Sequence, residues 1–265
     1  MPTNTAVQII PARRRAPTDS ATAPGPGKLA QFRTMCSTCN LRELCPPCCG
    51  LTRAEMDAAD RLVFNRPRVR RGETLYRTGD RFSCLYAVRN GFFKSTAVLE
   101  NGHDQVTGFS MTGEVMGLDG IGPELHTCNT IALEDSEVCA IPFARLQELA
   151  LEVPRLQRQF HKTMSREIVR EHGVMLLLGS MNADERLAMF LLNLSQRFAA
   201  RGYSPLEFNL RMTREEIGSY LGLKLETVSR TFSKFQEEGL IGVQQKFISI
   251  RDSAGLQRVM GREQG

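Results

Sequence analysis

Five glycine-bearing turns, Arg71-Gly72, Thr78-Gly79, Asn90-Gly91, Asn101-Gly102 and Thr112-Gly113, recur at intervals of seven to twelve residues between Val63 and Pro142. Short alternating segments lie between them, among them Leu85-Tyr86-Ala87-Val88 and Gln105-Val106-Thr107-Gly108-Phe109. Regular short strands joined by such turns indicate an antiparallel barrel or double-sheet roll.

The chain on either side of this stretch is helical. Leu51 to about Leu62 forms a short helix, with Thr52 as N-cap and Glu55 three residues on. Phe143–Leu149 gives another, and Pro154 starts a long one running to about Leu178. Asn182 caps a helix through Arg201, and Thr213 opens Arg214–Leu221 with Glu216 completing a capping box. Gly222 makes a tight turn, and Lys224–Glu238 forms the next helix, ended by Gly239. Leu240–Val243 and Phe247–Ile250 then alternate about Gln244-Gln245-Lys246 as a β-wing. Helix, turn, helix and wing make a winged helix-turn-helix. The fold class is therefore α+β. Residues 1–34 mix Pro, Ala, Gly, Thr and Arg without hydrophobic period and are expected to be a disordered tail. A cysteine loop follows at 35–50, the β-roll at 51–150, the long helix at 151–179 and the winged unit at 180–253. Residues 254–265 are read as a C-terminal tail.

Five of the eight cysteines fall within Met35–Gly50. The first three run C-x2-C-x5-C, as Cys36, Cys39 and Cys45, and thiolates so crowded repel unless a positive centre sits among them. Zinc ribbons separate their cysteine pairs by fifteen or more residues, far more than the six between Cys39 and Cys45. A disulfide framework suits secreted chains, and no secretory signal is evident. An iron–sulfur cluster tolerates these spacings and normally takes a fourth thiolate from elsewhere. Cys48, Cys49, Cys84, Cys128 and Cys139 are all open for that place.

Hydrophobic content of 42% and charged content of 24% are those of a soluble globular protein. No apolar run approaches the roughly eighteen residues needed to span a bilayer, so a cytoplasmic protein without membrane contact is expected. The net charge of +5 is unevenly spread: +4 in residues 1–35, −1 in 36–179 and +2 in 180–265. Bulk charge is thus weak evidence for nucleic acid, and placement must carry the case. In the second helix of the winged unit, Glu226, Ser229 and Arg230 share one face near the end that enters a major groove. Arg230 can bond guanine through O6 and N7, and Glu226 can accept from a cytosine amino group. Thr213 and Thr227 are placed to hold backbone phosphates. On the long helix Phe160, Met164, Ile168, Met175 and Leu178 form a coiled-coil-like seam, interrupted at Glu171. That seam predicts a homodimer, with Leu151, Val153, Leu156 and Leu176 left for the barrel side.

These features together resemble the CRP/FNR family, and its oxygen-responsive FNR branch in particular, from about Cys36 to Ile250. The resemblance rests on the C-x2-C-x5-C run, Leu85–Arg89, Gln105–Phe109, Ala183–Leu187 and Glu226–Arg230. It implies a cyclic-nucleotide-binding-like, cupin-type jelly roll, a dimerisation helix and a recognition helix at about 224–238. It also implies a 4Fe-4S cluster on Cys36, Cys39, Cys45 and Cys139, the last because the family's fourth ligand precedes an Ile-Pro-Phe step, here Ile141-Pro142-Phe143. Cys84 and Cys128 are then ordinary strand cysteines. The family's nucleotide-responsive branch carries an arginine that Gly113–Gly120 lacks, so no cyclic nucleotide is expected. The recognition helix resembles the FNR type, implying a TTGAT-N4-ATCAA palindrome in double-stranded DNA. Recruitment of RNA polymerase, through the Leu99–Asp104 turn, is implied as well. The expected protein is no enzyme: flavin, nicotinamide and molybdenum motifs are missing, and an enzyme leaves the helix-turn-helix unexplained. It is an oxygen-sensing activator and repressor of anaerobic-metabolism genes, inactivated when oxygen or nitric oxide destroys the cluster. The rival is a regulator of the same fold that answers a small molecule and holds zinc on its cysteines.

Overall fold

The structure, a computed structural model, describes residues 36, 39, 50–60, 62–63, 65–98, 102 and 104–261. The expected disordered tail, most of the cysteine loop with Cys45, and most of the Leu99–Asp104 turn lie outside these residues.

The described chain starts with helix α1 (Arg53–Ala59), closed by the expected reciprocal box between Thr52 and Glu55. Strands β1 (Arg68–Val69), β2 (Thr74–Tyr76), β3 (Cys84–Asn90), β4 (Phe92–Val98), β5 (Asp104–Met111), β6 (Val115–Met116), β7 (Asn129–Ala132) and β8 (Ser136–Pro142) follow. They pair antiparallel into two four-stranded sheets, ordered β1-β8-β3-β6 and β2-β7-β4-β5. All five turn glycines have positive φ, from 79° to 108°, a region that costs L-residues with a Cβ. Gly91 has a second reason to be glycine, since a Cβ there would collide with Ser136.

Period-two alternation sends residues to opposite faces of each sheet, and each face has its own core. Val69, Val88, Met116 and Val138 of the first sheet meet Tyr76, Phe93 and Ala132 of the second, filling the inside of the roll. The first sheet's outer face, Leu85, Ala87, Cys139 and Ile141, packs with α1, with helix α2 (Phe143–Glu152) and with the start of helix α3 (Pro154–Ser180). The second sheet's outer face, Phe92, Val106, Phe109 and Met111, joins the core of the C-terminal unit.

That unit comprises α4 (Ala183–Ala199), β9 (Glu207–Asn209), α5 (Arg214–Leu221), α6 (Leu225–Glu237), β10 (Ile241–Gln244), β11 (Phe247–Ile250) and α7 (Ser253–Met260). The wing has three strands, ordered β10-β11-β9, one more than the alternation of Leu240–Ile250 predicts. Residues 253–260 are not the expected tail. They form α7, capped by the Asp252 side chain on the Gly255 N–H, with Leu256 and Val259 buried in the core.

Candidate cysteine centre and DNA-reading head

Cys139 stands in the middle of β8, paired with Ala87 of β3. It is buried, and Cys36 is buried in the same apolar cluster with Leu85, Ile141, Leu149 and Leu156. The Cys39 amide donates to the Cys36 carbonyl at 3.1 Å, forming a tight turn between them. Burial pushes the Cys139 thiol pKa up; Arg66 opposes this by charge and hydrogen bonding, and neighbouring Cys36 and Cys39 add to the rise. Cys36 and Cys139 therefore share one buried cluster, Cys39 lies within electrostatic reach of Cys139, and the fourth expected ligand, Cys45, lies outside the described residues. Among the described residues no three His, Cys, Asp or Glu side chains stand together as a metal site. Cys84 opens β3, opposite Pro142. The Cys128 thiol donates to Asp119 at 3.5 Å, and burial with that carboxylate pushes its pKa up to about 12, making it a poor thiolate.

The reading head is built by local rules. Thr213 accepts from the Glu216 N–H at 3.1 Å while the Glu216 carboxylate accepts from the Thr213 N–H at 2.7 Å. α5 ends on Gly222, in the left-handed region at φ 63°. Gly218 allows the close crossing of the two helices: a Cβ there would lie 2.6 Å from the Leu223 carbonyl. On α6 Val228, Thr231, Phe232 and Phe235 face the core. Glu226, Ser229 and Arg230 are exposed together on the other face, with Thr227 half-buried at its edge and Thr213 exposed at the start of α5.

The segment Ala183–Leu187 proves to be a junction. Arg186 spreads its guanidinium over three carbonyls, Met181 and Leu178 after and within α3 and Leu221 at the end of α5, at 2.8–2.9 Å. Asp184 accepts from Lys234 at 2.5 Å and Thr231 at 3.2 Å, both on α6. Leu187 is fully buried.

A second junction is invisible in the sequence. Glu114, on the turn before β6, meets Arg201 at 2.6 Å, Arg197 at 2.7 Å and Arg170 at 3.8 Å. Arg197 also donates to the Phe109 carbonyl at 2.8 Å, and Arg201 to that of Thr112. Burial raises the Glu114 pKa, and the opposing arginines outweigh it, leaving the carboxyl below its ordinary value. Beside it Lys94 of β4 bonds Glu216 of α5 at 2.7 Å, and Ser219 of α5 receives the Val106 N–H at 2.9 Å. The signal for the first contact was an Arg-x3-Arg pair at 197 and 201, which has many solvent-facing explanations.

On α3 only Leu156 and Leu177 are buried. Of the expected seam, Ile168 and Met175 are 55% and 67% exposed, Glu171 is exposed, and Met164 is half-buried. Phe160 turns inward, its ring 6.1 Å from Phe143. Two residues assigned to the barrel side go elsewhere: Leu151 is 82% and Leu176 66% exposed. Leu177, one position on, makes the inward contact, because the helix rotates about 100° per residue and a single step exchanges faces.

A jelly roll joined by a long helix to a winged helix-turn-helix defines a DNA-binding transcription regulator. A family profile described as a Crp-like helix-turn-helix domain matches residues 185–259, and one described as a cyclic nucleotide-binding domain matches 66–152. The transcriptional regulatory protein btr of Bordetella pertussis is 48% identical over 228 residues, covering 86% of this chain and 94% of that one. The transcriptional activator anr of Pseudomonas aeruginosa is 46% identical, covering 85% and 92%. The fumarate and nitrate reduction regulatory protein of Escherichia coli is 42% identical, covering 85% and 90%. The solved structure of FixK2 from Bradyrhizobium japonicum superposes with a TM-score of 0.68 at 30% identity, over 74% of this chain and 96% of that one. The chain belongs to the CRP/FNR family. It is an FNR-like transcription regulator that binds DNA through its helix-turn-helix, and not an enzyme. Among the described residues no helix is long and apolar enough to cross a membrane.

Proposed function

We propose that the chain is an oxygen-responsive regulator in which Cys36, Cys39, Cys45 and Cys139 hold a 4Fe-4S cluster. The observation that carries this is the meeting of Cys36 and Cys139, about a hundred residues apart in sequence, within one buried apolar cluster, with Cys39 in electrostatic reach of Cys139. The donor set fits the group: the thiols of Cys36 and Cys139 are buried together, and Arg66 sets positive charge beside them. When bound, the cluster supplies a centre that survives without oxygen and is degraded by oxygen or nitric oxide.

The protein's own residues do the rest. Thiol ligation holds Cys36 against β8, next to Val153 and Leu156 where α3 begins. This orders the helix so that Ile168, Met175 and Met164 close against a second copy, with Leu176 and Val169 flanking them and Phe160 bracing the near end. Two Glu171 side chains approach across the two-fold axis and keep association marginal, as a switch requires. Pairing sets two α6 helices about one DNA turn apart, roughly 34 Å. Glu226, Ser229 and Arg230 then read TTGAT-N4-ATCAA half-sites, while Thr213 and Thr227 hold phosphates. The paired protein contacts RNA polymerase and activates or represses genes of anaerobic metabolism. Cyclic nucleotide is not the effector: half-buried Asp119 accepts from the Thr127 N–H and the Cys128 thiol and lies 3.5 Å from His126, a poor neighbour for a phosphate.

Anaerobic purification with iron and sulfide analysis is the test, followed by operator binding before and after air. About four irons per chain and binding lost in air are expected. Zinc in place of iron, or air-indifferent binding, overturns the reading. Arg230→Ala should weaken operator binding by about 1–3 kcal/mol and relax the preference at one base pair.

A further inference from the structure

Cys139 has a strand neighbour on each side, and the pairing fixes who they are. On one side Asn65 bridges Ala140, and Arg68 and Val69 pair with Glu137 and Ser136. That antiparallel register sets Arg66 directly across from Cys139, at the distance where cross-strand side chains touch. On the other side Ala87 pairs with Cys139 and Val88 with Val138, and a bulge between Val88 and Asn90 leaves Arg89 as its extra residue. Arg89 bonds Glu137 through Nη1 at 2.8 Å, and Glu137 shares the face of Cys139, two residues earlier on β8.

Both guanidiniums thus border the thiol face; Arg66 hydrogen-bonds the Cys139 thiol and Arg89 pairs with Glu137, yet each keeps one unmatched N–H. The Nε–H of Arg66 and the Nε–H of Arg89 are shielded from solvent and have no hydrogen-bond acceptor. Buried donors are almost always paired, so two orphans flanking the same cysteine call for an acceptor that belongs there. Arg89 also lies within electrostatic reach of Cys39 and Cys139. Among the described residues Glu137 is the carboxylate paired with Arg89, and it occupies Nη1.

We propose that Arg66 and Arg89 are positioning residues of the cysteine centre, donating their buried Nε–H groups to sulfur atoms of the bound cluster and countering its negative charge. This rests on the 4Fe-4S reading above. Four thiolates leave such a centre anionic, and the wall formed by Leu85, Ile141 and Leu149 offers it no compensation. Donors to sulfur and nearby positive charge favour the reduced cluster and slow its loss. Removing either guanidinium therefore makes the centre easier to oxidise and easier to strip.

The test uses the full chain, purified anaerobically, as wild type and as Arg66→Gln, Arg66→Lys and Arg89→Gln, with Arg70→Gln as an exposed-charge control. Iron retention against a chelator, the one-electron midpoint potential and the rate of bleaching in air are read, with the apo-protein melt as a check on folding. Arg66→Gln is expected to lose iron about ten- to a hundredfold faster, with a more negative midpoint and faster bleaching. Arg66→Lys should recover part of the midpoint shift, since it keeps charge without the fork, and Arg70→Gln should match wild type. Should Arg66→Gln melt abnormally as apo-protein, Arg89→Gln decides by the same readouts. A wild type that holds the cluster, beside variants with unchanged retention and midpoint, overturns this inference alone. A wild type without iron and sulfide overturns the cluster reading and this one with it.

Discussion

The two outer faces of the roll are built from the same kind of strand yet are finished to different degrees. On the second sheet the charged groups that face the C-terminal unit are paired, Glu114 with three arginines and Lys94 with Glu216, and Ser219 takes the Val106 amide, while Thr96 Oγ1 and Arg214 Nη1 are the buried polar atoms left without a hydrogen-bond partner there among the described residues. On the first sheet the thiols of Cys36 and Cys139 are buried among apolar side chains, and two arginines end in unmatched Nε–H groups. A satisfied buried network rigidifies, whereas an unsatisfied one holds free energy that a ligand can release. Under the proposed function the contrast assigns the parts: the first face would receive the signal, and the second is the joint that carries the reading head. Helix α3 spans both, packed by Val153 and Leu156 at one end and by Leu177 at the other.

If that division is right, the two faces should fail independently. The largest effect is expected from Cys139→Ala, which should abolish iron–sulfide binding and anaerobic operator binding while changing urea stability of the apo-protein by no more than about 1 kcal/mol. Glu114→Gln should do the reverse. Removing its charge leaves Arg197 and Arg201 with carbonyl acceptors but no carboxylate, while Arg170 keeps Glu167; a loss of about 3–5 kcal/mol in urea unfolding is expected, with iron retention unchanged. A Glu114→Gln protein that stripped its iron faster than wild type would mean the faces are not separate.

The sequence conveyed these two faces unequally, and the reason is distance along the chain. Caps, turns and close helix crossings are written within a few residues, so Thr52, Asn182, Thr213 and Gly222 were all legible, as were the turn glycines of the roll. Cys36, Cys39 and Cys45 announced themselves by spacing. Cys139 did not, because its partners are a strand pairing away, and only family resemblance singled it out. Glu114 and its arginines are 56 to 87 residues apart, and Arg66 faces Cys139 across 73; neither separation leaves a periodic trace. α7 was missed for a different reason: two turns carry too few apolar positions, Leu256 and Val259, to distinguish a helix from a tail. The step from Leu176 to Leu177 shows the limit of heptad counting, where one residue reverses inside and outside.

Between these extremes lies the helix that joins the faces. Glu171 is exposed on α3, on the stripe with Ile168 and Met175. Glu171→Ala should remove a like-charge contact across the two-fold axis of about 1 kcal/mol, raising the iron-free dimer constant about fivefold. Sedimentation with and without operator DNA measures it, and the iron-free protein should then bind DNA. A variant that stays monomeric under all conditions would place the pairing surface elsewhere.

The smallest expected effect is a difference in acid sensitivity at the fixed joint. Glu114 and Glu216 both have pKa values below the ordinary 4.5 in the folded chain. Burial works against ionisation at each, and is outweighed at Glu114 by Arg197, Arg201 and Arg170 and at Glu216 by Lys94 and the Thr213 cap. A carboxyl of this kind contributes fully above the unfolded value. As pH falls below 4.5 the unfolded chain takes up protons first, so stability drops, and the contribution is gone once pH passes the depressed folded values. Urea midpoints of wild type should therefore fall through that window, and those of Glu114→Gln should fall less steeply because one of the two carboxyls is missing. Cys139→Ala should follow the wild-type curve, since neither carboxyl lies on the thiol face. Parallel curves for wild type and Glu114→Gln would mean that the Glu114 charge does not hold the joint.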